Sequence, residues 1–173
     1  MNDFYIYDNV TGEILRTGSS PVSMIYLQAT EPNESFEIGL ADEETQYHDL
    51  VDNELKAKTE SPVTIDTTIT TVVTEDDHAN DIWLQFPIGT VLAVADGLYN
   101  MGFENIPNPS KLYLNGEFLT EITDGELEFA LDLPSSAHGI ERFKSQVENN
   151  PKLHSLQIKS VAHLPFEVKI YAV

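Results

Sequence analysis

Lys111-Leu-Tyr-Leu-Asn-Gly-Glu-Phe-Leu-Thr-Glu-Ile-Thr-Asp-Gly-Glu-Leu-Glu-Phe-Ala-Leu-Asp-Leu133 carries two short turn signals inside a run of alternating apolar and polar residues. Asn115-Gly116 and Asp124-Gly125 are the residue pairs that two-residue hairpin turns demand, because such turns need positive φ at their centre. If both close hairpins, the register is set. Tyr113 then lies opposite Phe118, Phe118 also faces Leu131, Thr120 faces Phe129, and Ile122 faces Leu127. Strand side chains alternate between faces, so these residues share one face. Glu117, Glu121, Glu126 and Glu128 gather on the other. One apolar and one acidic face is the pattern of an antiparallel sheet with a core side and a water side.

The same alternation extends on both sides of this meander. Downstream, Leu156-Gln-Ile-Lys-Ser-Val161 and Phe166-Glu-Val-Lys-Ile-Tyr-Ala-Val173 read as two closing strands. Between them and the meander, Pro134-Ser-Ser136 ends the strand, and residues 140–149 form a short amphipathic helix with Ile140, Phe143 and Val147 on one side. Upstream, the Thr- and Val-rich run 64–73 suits a strand, because β-branched side chains favour extended backbone. Residues 75–81 read as an acidic loop, and 82–86 and 90–95 as two strands joined by Pro87-Ile-Gly89. The count is about seven strands punctuated by turns, which predicts an antiparallel, immunoglobulin-like β-sandwich over residues 61–173.

The first 60 residues read as a separate, small module. Phe4-Tyr-Ile-Tyr-Asp-Asn-Val-Thr-Gly-Glu-Ile-Leu-Arg16 is strand, turn, strand. Residues 19–29 predict a short helix, with Ser20 as cap and Pro21 in the first helical position, where no amide donor is needed. A strand around 36–40 follows. Residues 47–58 predict a second hairpin turning at Asp52-Asn53, with Leu50 opposite Leu55 and Asp49 opposite Lys56. Residues 57–64, with Pro62, read as a linker. The whole is mostly β: a hairpin module with one short helix, then the sandwich.

Composition narrows the function classes. The chain has 173 residues, no cysteine and a formal charge of −20. Without cysteine there is no disulfide, thiolate metal site or cysteine nucleophile. Before Lys111 the only basic residues are Arg16, Lys56 and Lys58. Such a chain repels phosphate backbones and anionic lipid, which argues against nucleic acid and membrane surfaces as partners. No apolar run approaches the ~20 residues of a membrane span, and the first residues lack a signal-peptide pattern. The expectation is a cytosolically made protein, in which the sequons Asn9-Val-Thr11 and Asn33-Glu-Ser35 stay unglycosylated.

No phosphate-binding glycine loop, nucleophile elbow or His-Glu-x-x-His motif occurs. His48, His78, His138, His154 and His163 are scattered, none paired with another at ligand spacing. Residues 75–81 (Glu-Asp-Asp-His-Ala-Asn-Asp) are rich enough in oxygen for a hard cation such as Ca²⁺, but lack the glycine of a calcium loop and read as a solvated connector. Ser135, Ser136 and His138 are close in sequence, which is no sign of a triad; a helix-entry turn accounts for them. Trp83 and Tyr113 are candidate carbohydrate-facing aromatics, with core packing the simpler account. No catalytic, cofactor-binding or metal-ligating residue is assigned, and no cofactor is expected.

The order Phe4-Tyr-Ile-Tyr-Asp, Thr11-Gly-Glu-Ile, Leu27-Gln-Ala and Tyr47, followed by Val51-Asp-Asn-Glu-Leu55 and a proline-bearing linker, resembles the start of small tailed-bacteriophage virion proteins. Leu84-Gln-Phe-Pro-Ile-Gly-Thr-Val-Leu-Ala-Val94, Ile122-Thr-Asp-Gly-Glu-Leu-Glu-Phe129 and His163-Leu-Pro-Phe-Glu-Val-Lys-Ile-Tyr-Ala172 are similar to the immunoglobulin-like β-domain those proteins carry. Residues 97–110 and 140–149 look like insertions relative to that pattern. The resemblance implies a non-enzymatic structural protein of the virion, a tail-fibre or baseplate component made in the host cytoplasm. It would contact other virion proteins as a homo-oligomer, for which a trimer is one option. The alternatives it leaves are a capsid decoration or head-fibre protein and a tail-fibre assembly chaperone. A host-glycan depolymerase is the enzymatic alternative.

Overall fold

The computed structural model describes residues 1–93, 96–132 and 152–172. The helix expected at 140–149, and Ser135, Ser136 and His138, lie outside the described residues. The chain divides into two compact units: Met1–Ser61 with Val161–Leu164, and Pro62–Ser160 with Pro165–Val173. Both are built mainly from antiparallel strands, the mostly β architecture read from the sequence.

The first unit is layered around β1 (Asn2–Asp8), the centre of a three-stranded sheet between β2 (Ile14–Ser20) and β3 (Glu34–Ile38). Four consecutive residues, Phe4 to Tyr7, are buried. An unbroken apolar run of this kind belongs to a strand covered on both faces. Phe4 and Ile6 pack against Phe36 and Ile25, the latter on the helical turn α1 (Val22–Ile25). Tyr5 and Tyr7 face the other way, toward Ile14, Ala41 and Leu55. That side is covered by the hairpin of β4 (Gln46–Asp49) and β5 (Glu54–Ala57). Thr59 closes the unit by a bridge to His163, with its N–H donating to the Ala162 carbonyl at 3.0 Å.

Two local expectations shift here. The helix is a single turn, and Ser20 is the last residue of β2 instead of a cap; Pro21 stands at the N-cap. The second hairpin turns through four residues, so His48, not Leu50, pairs with Leu55. Asn53 takes φ 56° there, and the Asp49 Oδ1 carboxylate accepts from the N–H groups of Val51 and Asp52, which widens the turn. Asp49 still reaches Lys56, at 2.7 Å, now diagonally.

The second unit has two sheets around one core. The larger runs β11-β10-β13-β14-β8-β7, the smaller β12-β9-β6. In chain order these are β6 (Thr64–Asp66), β7 (Thr71–Val72), β8 (Val91–Ala93), β9 (Asp96–Glu104), β10 (Ser110–Leu114), β11 (Glu117–Ile122), β12 (Leu127–Asp132), β13 (Lys152–Lys159) and β14 (Phe166–Ala172). Val91, Leu112, Leu156, Ile158, Val168 and Ile170 of the larger sheet meet Met101 and Phe103 of the smaller. Among the described residues, its pairings are antiparallel except β14 with β8, which run parallel with Ile170 beside Val91.

The deciding stretch closes its first turn and not its second. Asn115 and Gly116 both take positive φ, 53° and 84°, as a type I′ turn requires. The Asn115 side chain accepts from the Ser155 N–H at 3.0 Å and donates to His154 Nδ1 at 3.0 Å, which pins the turn to β13. Tyr113 does pair with Phe118. At the second signal only Gly125 has positive φ, and its carbonyl accepts from the Ile106 N–H at 2.9 Å. The chain therefore crosses to the other sheet, where β12 pairs with β9 instead of returning along β11.

The expected core face is also reversed at its start. A bulge at Leu112/Tyr113 places Phe118 opposite Tyr113 but Thr120 opposite Leu112, so one extra residue, Leu119, flips the alternation. Ser110, Leu112 and Ile122 point inward; Tyr113 and Phe118 meet edge-on outside, with Lys159 Nζ 4.8 Å from the Tyr113 ring centroid.

Other segments also differ from expectation. Residues 97–110 lie at the heart of the unit: β9 is the centre of the smaller sheet, and Met101, Phe103 and Ile106 are core. The run 64–73 breaks into β6 and β7, because the Asp66 carboxylate accepts from the Thr68 N–H and hydroxyl and turns the chain. Residues 82–86 form turns rather than a strand, and the acidic 75–81 begins as the short helix α2 (Glu75–Ala79).

Candidate functional site

His48, in the first unit, is a buried histidine held on several sides. It is 1% exposed and stacks on Tyr7, with ring centroids 3.8 Å apart and planes 16° from parallel. The Tyr5 hydroxyl lies 3.0 Å from Nδ1, and Asn53 Oδ1 lies 3.3 Å from Nε2. Burial, with the Glu37 carboxylate and Tyr7 adding to it, pushes the Tyr5 phenol up to about 12, so it stays a donor. Tyr5 thus engages one ring nitrogen and Asn53 the other. Both nitrogens are used inside the protein. This cluster holds the β4–β5 hairpin on the sheet, and its chemistry is structural.

The acidic stretch 75–81 does not gather its oxygens. Asp77 is spent on a capping box: Thr74 N–H and Oγ1–H donate to its carboxylate at 2.8 and 2.6 Å, and its own N–H donates to Thr74 Oγ1. His78 donates from Nε2 to the Phe86 carbonyl at 2.9 Å. Among the described residues, no three His, Asp or Glu side chains are placed to hold a metal ion. Trp83 and Tyr113 are likewise not brought together: β13 lies between β10 and the β14–β8 pair over which the Trp83 segment sits.

What the structure does assemble are two apolar surfaces. On the first unit, α1 buries Ile25 and leaves Val22 and Met24 exposed, as are Tyr26 and Leu27 in the turn after it; Tyr26 is 60% exposed. Ile38 is exposed on the same face of the sheet, since its strand partner is Phe4. The sequence signal was available: Val22-Ser-Met-Ile-Tyr-Leu27 has five apolar residues in six positions, more than one helical turn can bury on one side. On the second unit, residues 82–88 expose Ile82, Trp83, Leu84 and Ile88 while burying Phe86. Its β-branched and aromatic content reads as a strand, which hid the outward display.

The α1 surface is clamped from beneath. The Arg16 guanidinium donates to both Glu34 oxygens at 2.5 and 2.7 Å and to the Gln28 carbonyl at 2.6 Å. The N–H groups of Thr30 and Glu31 also donate to Glu34. The Arg16 hydrogen bonds, with those backbone donors, hold the Glu34 carboxyl down at about 2, against an ordinary 4.5. A depressed carboxyl contributes stability that is complete above pH 4.5 and is lost as pH falls toward 2. Amide protection at Thr30 and Glu31 is expected to decline across that window, and Glu34→Gln to remove that dependence. Protection unchanged down to pH 2 would count against the clamp.

Comparison of the chain with protein-family models, curated proteins and solved structures finds no match in any of the three.

Proposed function

We propose that the chain is a structural attachment protein of a tailed-bacteriophage virion, in the tail-fibre or baseplate region, bound to a neighbouring virion protein through its N-terminal unit. The observation that carries attachment is the exposure of Val22 and Met24 on α1 and of Tyr26 and Leu27 just after it. Exposed aliphatic and aromatic side chains are what a protein interface buries, and tyrosine is enriched among residues that dominate binding energy. The resemblance of residues 4–55 to phage virion proteins supports the particle as the setting. The acidic surface suits a protein partner over nucleic acid or lipid.

The test is the protein content of purified phage particles. The wild-type chain is expected in mature virions. Met24→Glu combined with Tyr26→Glu should reduce its incorporation by about tenfold or more. Both side chains point away from the core, so the variant should melt like the wild type. Absence of the wild-type chain from mature particles sinks the virion reading, and normal incorporation of the double variant sinks the role of α1.

A further inference from the structure

The second unit carries its own docking platform. Residues 80–89 fold back over the outer face of the larger sheet, where Phe86 packs among Val73, Leu92 and Tyr171. The Phe86 and Tyr171 rings sit 5.0 Å apart. Backbone bonds lock this segment: Ile82 N–H to the Asp77 carbonyl at 2.8 Å, Phe86 N–H to the Trp83 carbonyl at 2.9 Å, and Gly89 N–H to the Val73 carbonyl at 2.8 Å. The segment is a tethered cap whose upper side is apolar.

Trp83 marks that side. Its φ of 51° lies in the left-handed region, and so does that of Asp81 at 57°. A bulky side chain there costs roughly 1–2 kcal/mol, a cost that glycine would avoid. The indole thus stands where the backbone favours a smaller residue, flanked by Ile82, Leu84 and Ile88, with Leu84 57% exposed. Just before them in the chain Glu75, Asp76 and Asp81 are exposed, and no Lys or Arg occurs between Lys58 and Lys111.

From this combination we infer that the 82–88 cap binds a cationic, aliphatic-bearing segment of a partner protein. Apolar side chains would pack on Leu84 and Ile88, and Lys or Arg would meet the acidic rim and the indole, the aromatic ring best suited to a cation. A second copy of this chain is the wrong occupant, because its own acidic rim would face this one. The surface is separate from α1 and is tested on pure protein. Its failure therefore leaves the virion proposal standing, and the reverse also holds.

Trp83 is the single tryptophan of the chain and so reports on its own surface. The intact protein is titrated with a synthetic peptide of alternating Lys and Leu, with a Lys–Ser peptide of the same charge, and with a Glu–Leu peptide. The Lys–Leu peptide should shift Trp83 emission to the blue and saturate. The Lys–Ser peptide should bind at least about tenfold more weakly, and the Glu–Leu peptide not at all. Leu84→Ser with Ile88→Ser should weaken Lys–Leu binding about tenfold, as should Asp76→Asn with Asp81→Asn. Asparagine tolerates the left-handed backbone at 81, so the charge variant keeps the turn. Equal binding of Lys–Ser or Glu–Leu, no emission change, or unchanged binding by both variants overturns the inference. So does a self-associated form of the chain in which Trp83 is buried.

Discussion

Gly12→Ala is expected to destabilise the first unit by about 3–5 kcal/mol, a large share of the stability of a domain this size. Gly12 sits at φ 81° in the turn between β1 and β2, where its carbonyl accepts from the His48 N–H at 2.9 Å. A Cβ at this position would lie 2.1 Å from the His48 carbonyl oxygen and 3.2 Å from its carbonyl carbon. Backbone cannot swing aside as a side-chain tip can. The substitution therefore adds the left-handed penalty of roughly 1–2 kcal/mol to loss of the turn's docking on β4, with a buried donor left unpaired. Gly116→Ala is the matched control: φ is 84° there, and a Cβ would meet nothing within 4 Å. It should cost only the conformational term. Chemical denaturation of both variants, with amide exchange along β1, measures the difference; equal losses would remove the steric account.

Phe103→Ala should destabilise the second unit by about 3–5 kcal/mol, the usual cost of emptying a buried phenylalanine site. Phe103 is 1% exposed on β9, beside Ile65 on β6 and Leu127 on β12. Its ring meets that of Phe166, from the opposite sheet, at 6.1 Å and 70°. Removing the ring takes contacts from both sheets at once, and strands paired on either side of β9 limit collapse into the void. Phe103→Leu keeps most of the volume and should cost less than about 1.5 kcal/mol. A loss below about 1 kcal/mol for the alanine variant would mean that 97–110 is peripheral to the core.

The segment holding Phe103 does not read as a strand from its own residues. Leu-Tyr-Asn-Met-Gly-Phe-Glu-Asn-Ile over 98–106 has neither clean alternation nor a turn pair. Gly102 explains part of this: a Cβ there would come within 2.6 Å of Ile69 Cδ1 and 3.0 Å of Asp66 Cβ. The glycine is set by what packs on it, and Thr70 Oγ1 accepts its N–H at 2.8 Å. Nothing near Gly102 in the sequence announces residues 66–70.

The two surfaces were hidden for a different reason. Apolar content in 22–27 and 82–88 is visible by composition, and composition counts buried and exposed side chains alike. Ile25 goes inward against Phe4 and Ile6, and Phe86 against Val73 and Leu92, while their neighbours stay exposed.

By itself, the sequence determined what depends on neighbours along the chain. The Asn115-Gly116 turn follows from residues that tolerate positive φ, and the buried β1 follows from four consecutive apolar side chains. The mostly β class follows from alternation with period two. Tertiary structure alone decided what depends on partners far away. The crossing at Gly125 is made by a carbonyl that finds the Ile106 N–H, and the bulge at Leu112/Tyr113 turns Phe118 outward. Two residues of slippage in the β4–β5 hairpin bring His48 beside Leu55. A strand's face and partner change with a single inserted residue, so local pattern cannot choose between them.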